Sequence, residues 1–87
     1  MDNDSTTLFE FWAPWCMPCR AMKPIVKKVL AGLNGIELID INVDENPDMA
    51  REYNIRTIPT LILKKGEQVE RLTGTASSEQ LKEFLSK

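Results

Sequence analysis

Phe11-Trp12-Ala13-Pro14-Trp15-Cys16-Met17-Pro18-Cys19-Arg20 is the stretch on which the reading of this 87-residue chain turns, because one kind of residue pattern gives way to another across it. Upstream, Thr6 to Trp12 is short, aromatic and β-branched and stops at Ala13 and Pro14, the pattern of a buried strand. Downstream, Met22, Ile25, Val26, Val29, Leu30 and Leu33 recur at i, i+3, i+4, i+7, i+8 and i+11. That spacing is one apolar stripe of a helix, which is expected to stop near Gly32 and Gly35. Arg20, Lys23 and Lys27 lie off the stripe, and Pro24 within it removes a backbone hydrogen bond and is expected to bend the axis. The two cysteines therefore fall at a strand-to-helix junction.

That position has chemical consequences. The first N–H groups of a helix lack partners and its N-terminus carries about half a positive charge, so a thiolate at Cys16 is stabilised there. Arg20 adds positive charge. Cys19, one turn along, can reach the Cys16 sulfur, so a mixed disulfide formed between Cys16 and a substrate can be resolved internally. The expected pair is unequal, with Cys16 exposed and Cys19 shielded. Pro18 suits the first helical turn, where its missing N–H is no loss. Two other readings compete. A structural zinc site usually needs four Cys or His ligands, whereas this chain has two cysteines and no histidine. A purely structural bridge at this spacing closes too small a loop to restrict the unfolded chain much.

Working outward, Ile36 to Val43 is a second β-branched run, and Asn46-Pro47 opens a short helix through Tyr53. Thr60 to Leu63 and Gln68 to Thr73 flank Lys64-Lys65-Gly66-Glu67, a hairpin with a glycine in its loop. Ser77 with Gln80 three residues on forms a capping box, and Leu81, Phe84 and Leu85 give a last helix its core face. The order β-α-β-α-β-β-α, a parallel βαβ unit followed by an antiparallel hairpin and a closing helix, implies an α/β fold. Its sheet is mixed and four-stranded, with helices on both faces. With no repeat or linker, residues 1–87 are read as a single domain.

Composition narrows the function classes. Eleven basic and thirteen acidic residues leave a net charge of −2, with no long run of either sign, which disfavours nucleic acid and anionic membranes as partners. No apolar stretch approaches the roughly 18 to 20 residues that cross a bilayer. Met1-Asp2-Asn3-Asp4 lacks the cationic start of a secretory signal, which points to the cytoplasm.

The quoted stretch, together with Asp44-Glu45-Asn46-Pro47 and Tyr53-Asn54-Ile55-Arg56-Thr57-Ile58-Pro59-Thr60, resembles the signature segments of the thioredoxin family, in order and at family spacing. The resemblance runs from Leu8 to Phe84 and takes in Gly66 and Gly74. It implies a thioredoxin-like fold without the family's leading strand and helix, and a protein-disulfide reductase with no cofactor beyond its own Cys16–Cys19 disulfide and no metal. Cys16 would be the attacking thiol, Cys19 the resolving thiol and Pro59 a cis proline facing them. Trp15, Ile58 and Gly74 would line the substrate groove, where the backbone at Ile58 pairs with an extended segment. Trp12, Met22, Met49 and Tyr53 read as core. Oxidised proteins would be the substrates and a thioredoxin reductase the electron donor. The absent leading strand would expose a sheet edge at Ile36 to Asn42, with a monomer as the default state.

Three departures from the family pattern carry expectations of their own. Met17 replaces the usual glycine between the cysteines, while Pro18, rather than histidine, before Cys19 favours a reductant over an oxidant. Glu10 stands where the family has a buried aspartate beneath the cysteines, and Asp40 where it has the lysine that pairs with that aspartate. If their strands are neighbours, the two acids should raise each other's proton affinity, with Glu10 able to exchange a proton with Cys19. The alternatives are a glutaredoxin-like, glutathione-linked reductase and a non-catalytic binding module of the same fold. Thr73-Gly74-Thr75-Ala76 lacks the glycine pair and acid that bind glutathione, and the presence of both cysteines argues against the module.

Overall fold

The first strand, β1 (Thr6–Trp12), is central to a four-stranded sheet of order β2-β1-β3-β4. The other elements are α1 (Met17–Ala31), β2 (Ile36–Asn42), α2 (Pro47–Glu52), β3 (Thr60–Lys65), β4 (Gln68–Thr73) and α3 (Ser78–Leu85), in the expected order. The computed structural model describes residues 6–86. The readings of the Met1 to Asp4 start and of the two ends of a 1–87 domain lie outside the described residues. β1 runs parallel to β2 and antiparallel to β3, and β3 is antiparallel to β4. The sheet is therefore mixed, with β2 at one edge.

Side chains alternate across a strand, so β1 feeds two cores. Leu8 packs in the larger one, with Met22, Val26 and Val29 of α1, Leu61 and Leu63 of β3, and Leu81, Phe84 and Leu85 of α3. Phe11 faces the other way, buried with Ile41 and Ile62 against Phe9, Met49, Tyr53 and Ile58. Helices α1 and α3 thus cover one face and α2 the other. Glu10, on the face of Leu8, is buried under α1. A third cluster, Ala13, Cys16 and Cys19 with Trp12, Val43 and Ile58 against it, closes the end of the sheet where β1 hands over to α1.

Several local details differ from the expectations. α1 ends at Ala31 with Gly32 as its cap, which leaves Leu33 beyond the helix and exposed rather than on the core stripe. The β3–β4 connection is tighter than a four-residue loop. Lys64 and Lys65 belong to β3 and pair with Val69 and Gln68, so only Gly66-Glu67 turn, with Gly66 at φ +61°. A two-residue hairpin needs such left-handed backbone, which glycine adopts without strain. Asn46 precedes α2 but does not cap it with its side chain; its Nδ2 donates to the Asn42 carbonyl at 3.0 Å. Tyr53 and Met49 are half-buried, packed against the Phe11 cluster rather than fully enclosed. The capping box of α3 forms as read, with the Gln80 N–H donating to Ser77 Oγ at 3.1 Å and the Ser77 N–H to Gln80 Oε1 at 2.9 Å. Among the described residues no helix is long and apolar enough to cross a membrane.

Candidate active site

Cys16 is the N-cap of α1 and Cys19 lies in its first turn, with Pro18 where a missing N–H costs nothing. The two are joined as a disulfide, their Cα atoms 5.3 Å apart. The Cys19 backbone N–H donates to Cys16 Sγ at 3.2 Å. An unpaired helix-end donor therefore points at this sulfur, where it stabilises negative charge. The inequality of the pair is smaller than expected. Cys16 is 5% exposed, so it is nearly buried rather than exposed, and Cys19 is fully enclosed. The Ala13, Trp12 and Ile58 side chains around the disulfide shield it, while Trp15 and Met17 on either side of Cys16 are 67% and 70% exposed.

The segment before β3 closes over the sulfur. Ile58–Pro59 is a cis peptide, Pro59 is buried, and the Ile58 carbonyl oxygen lies 3.8 Å from Cys16 Sγ. Thr60 Oγ1 donates to the Thr57 carbonyl at 2.7 Å, and the Gly74 N–H donates to the Pro59 carbonyl at 2.8 Å, holding the segment from two sides. Gly74 takes φ +89°, a conformation that favours glycine. Beside this segment is a hollow of about 390 Å³ lined by Trp15, Val43, Ala50, Ile55, Arg56, Thr57 and Ile58. Trp15 and Ile58 thus line one groove, whereas Gly74 is outside it and acts on Pro59 through the backbone. A larger hollow, of about 580 Å³, is lined by Leu72, Gln80 and Phe84 and touches neither cysteine.

Glu10 and Asp40 are register partners on β1 and β2. Glu10 is 1% exposed, and its buried Oε2 has no hydrogen-bond partner. Burial, followed by the neighbouring Asp40, pushes the Glu10 pKa up to about 7, against a smaller opposing pull from Lys23 and Lys27. The expectation of two acids without a cation needs amendment. Lys23 Nζ is 3.3 Å from Asp40 Oδ2 and 3.9 Å above the centroid of the Trp12 ring. The cation comes from the helix rather than from the neighbouring strand.

Sequence reasoning passed over three residues that the fold brings to the site. Lys23 counted only as a cation off the stripe, although its i+4 spacing from Cys19 was a usable signal. Asp44 accepts a hydrogen bond from Trp15 Nε1 at 2.9 Å and so orients the indole that borders the groove. Arg56 contributes the groove's positive charge. Among the described residues no group of three or more His, Cys, Asp or Glu side chains is arranged to hold a metal ion.

Comparison with known proteins agrees with this geometry. The family model for thioredoxin matches residues 1–87. The chain is 42% identical to thioredoxin 1 of Nostoc sp. and 43% identical to a thioredoxin of Porphyra purpurea, in each case over its whole length and 83% of the relative's. Among solved structures, oxidised mitochondrial thioredoxin 3 of Saccharomyces cerevisiae superposes with a TM-score of 0.86 at 27% identity. That match covers 97% of this chain and 80% of the yeast chain.

Proposed function

The chain belongs to the thioredoxin family, and from that premise we propose how its residues divide the work of reducing a protein disulfide. The protein is a thiol–disulfide oxidoreductase of the protein-disulfide reductase type, rather than a glutathione-linked enzyme or a non-catalytic module. In our reading the Cys16 thiolate attacks one sulfur of a substrate disulfide, forming a mixed disulfide and expelling the first substrate thiolate. Cys19 then loses its proton and attacks Cys16 Sγ. The second substrate thiolate leaves, and the Cys16–Cys19 disulfide remains. Two electrons have passed from the dithiol to the substrate, and the two expelled thiolates take up protons.

Glu10 serves this cycle as the proton-exchanging group for Cys19. A carboxyl with its pKa near 7 is divided between both forms at neutral pH, which suits it to take a proton and return it. Its unpartnered Oε2 supports the assignment. Pro59 holds the segment facing Cys16, Trp15 and Ile58 bind the substrate chain in the groove, and Gly74 secures Pro59. The groove suits an extended segment of an oxidised protein, a thioredoxin reductase supplies the electrons, and the chain works as a monomeric single domain in the cytoplasm.

The Cys19 N–H aimed at Cys16 Sγ carries the reading. Turnover of a model protein disulfide with dithiothreitol tests it: the Cys16→Ser variant is expected to be inactive, and equal rates would overturn the mechanism. Exchanging dithiothreitol for a thioredoxin reductase or for glutathione tests the donor.

A further inference from the structure

One wall of the groove beside Cys16 is a loop rather than a regular element. Ile55, Arg56, Thr57 and Ile58 form it, and they follow directly on α2, whose C-cap is Tyr53. The chain leaves that helix through Asn54 at φ +55°, a left-handed conformation that asparagine tolerates better than most residues but less freely than glycine. Two backbone bonds close the turn. The Asn54 N–H donates to the Arg51 carbonyl at 3.0 Å, and the Ile55 N–H to the Ala50 carbonyl at 2.8 Å. The carbonyls at the end of a helix have no intrahelical donors of their own, so the turn needs a donor from elsewhere.

Arg71 supplies it from the edge strand β4. Its register partner is Ile62, and cross-strand partners share a face of the sheet. Ile62 belongs to the core that Met49 and Tyr53 cover, so Arg71 stands on the α2 side. There its Nη1 donates to the Asn54 carbonyl at 3.4 Å and its Nη2 to the Tyr53 carbonyl. One planar guanidinium thus forks across two successive carbonyls, with its positive charge at the negative end of the helix. Arg56 is tied to the same turn, its Nε donating to Asn54 Oδ1 at 3.3 Å.

Resting on the reading of Trp15 and Ile58 as the substrate groove, we propose that Arg71 is a positioning residue for protein substrates. By locking the Tyr53-Asn54 turn, it holds Ile55 to Ile58 in the shape that an extended substrate segment meets. The far end of that loop is fixed beside the cysteines, where the Ile58 carbonyl lies 3.8 Å from Cys16 Sγ and the Gly74 N–H holds the Pro59 carbonyl. Arg71 fixes the near end. A loop already in its binding shape spares the substrate the cost of ordering it, and apparent affinity falls in proportion to the time the loop spends elsewhere. Loss of the fork therefore weakens binding without altering the chemistry, which raises KM and leaves kcat. Arg71 is exposed and outside the three buried clusters, so replacing it leaves the cores intact.

The test gives the full chain two substrates, a protein disulfide and the small aromatic disulfide dithiobis(nitrobenzoic acid), which has no peptide segment to lay in the groove. Arg71→Met keeps the apolar stem and removes the fork. It is expected to raise KM for the protein disulfide roughly threefold to tenfold, with kcat and the rate on the small disulfide unchanged. Amide hydrogen exchange at Asn54 and Ile55 is expected to quicken by a similar factor while that of Leu8 and Phe11 in β1 stays as it was, which separates a local loosening from a general loss of stability. Arg71→Lys keeps the charge without the fork and is expected to fall between the two. Trp15→Ala reports on the groove itself. If Trp15→Ala raises KM and Arg71→Met does not, the groove stands and the role of Arg71 is overturned. A raised KM with unaltered exchange at Asn54 and Ile55, or an equal loss of rate on the small disulfide, overturns it as well. If neither variant changes KM, the groove reading fails and takes the proposal with it.

Discussion

The backbone N–H of Cys19 donates to Cys16 Sγ at 3.2 Å, so the residue proposed to resolve the mixed disulfide also stabilises, through its amide, the sulfur proposed to form it. Both roles follow from placing the pair across the first turn of α1, where amides have no helical partner and the dipole is positive.

In the reduced protein this donor favours a thiolate on Cys16, and Cys16 keeps the pair's only solvent access at 5% against 0% for Cys19. Limited iodoacetamide is expected to label Cys16 at least about tenfold faster than Cys19, read by peptide mass spectrometry. Preferential labelling of Cys19 would reverse the two assignments.

Cys19→Ser removes the thiol proposed to resolve the mixed disulfide while keeping the backbone amide on Cys16. It is expected to accumulate a substrate-linked mixed disulfide through Cys16, visible on a non-reducing gel and lost on adding dithiothreitol, with catalytic turnover abolished. Rapid turnover without that adduct would show that Cys19 is not needed for resolution.

Asp44 holds the Trp15 indole by a single hydrogen bond at an exposed position. Asp44→Ala frees the ring at the edge of the groove and is expected to raise KM for protein substrates by roughly two- to tenfold, the range of one lost hydrogen bond, with kcat little changed. Steady-state kinetics decide it; a fall in kcat at constant KM contradicts a role in substrate docking.

Glu10 makes the fold sensitive to pH. Its pKa rises from 4.5 to about 7 on folding, so between those values the native state keeps a proton that the unfolded chain has released. The resulting penalty is absent below pH 4.5, grows through the window and is complete above pH 7. Glu10→Gln cannot ionise. Its unfolding free energy relative to the unsubstituted chain is expected to rise by on the order of 3 kcal/mol between acid and alkaline ends of that window, measured by urea titration. A difference that stays constant with pH refutes the raised pKa.

Ser77 and Gln80 satisfy two amides at the start of α3, whose Leu81, Phe84 and Leu85 close the larger core. Ser77→Ala is expected to cost about 1 kcal/mol and lower Tm by about 4 to 8 °C, by calorimetry. Disulfide reduction below Tm should be unaffected, since this cap is remote from the cysteines.

What the sequence by itself determined is what lies within a few residues along the chain. The period of the stripe from Met22 to Leu30 places α1, the Cys16–Cys19 spacing puts both sulfurs on one turn, and Ser77-Gln80 writes a cap that closes locally. Each depends on backbone geometry that repeats every few residues, so pattern is enough to read it. The boundaries of local elements were less legible. Nothing in Lys64-Lys65 says strand rather than loop until pairing with Val69 and Gln68 supplies the hydrogen bonds, and Leu33 looks like core until the helix stops short of it. Only the tertiary structure decided which distant charges meet. Trp15 reaches Asp44 across 29 positions, and Cys16 Sγ lies beside the Ile58 carbonyl across 42. Lys23 satisfies Asp40 because α1 crosses the sheet at the β1–β2 pair, where the parallel register sets Glu10 against Asp40. An electrostatic network of that kind depends on distances and burial between elements. A charge's partner and its solvation come into being only when the sheet and helix pack, and periodicity along the chain carries neither.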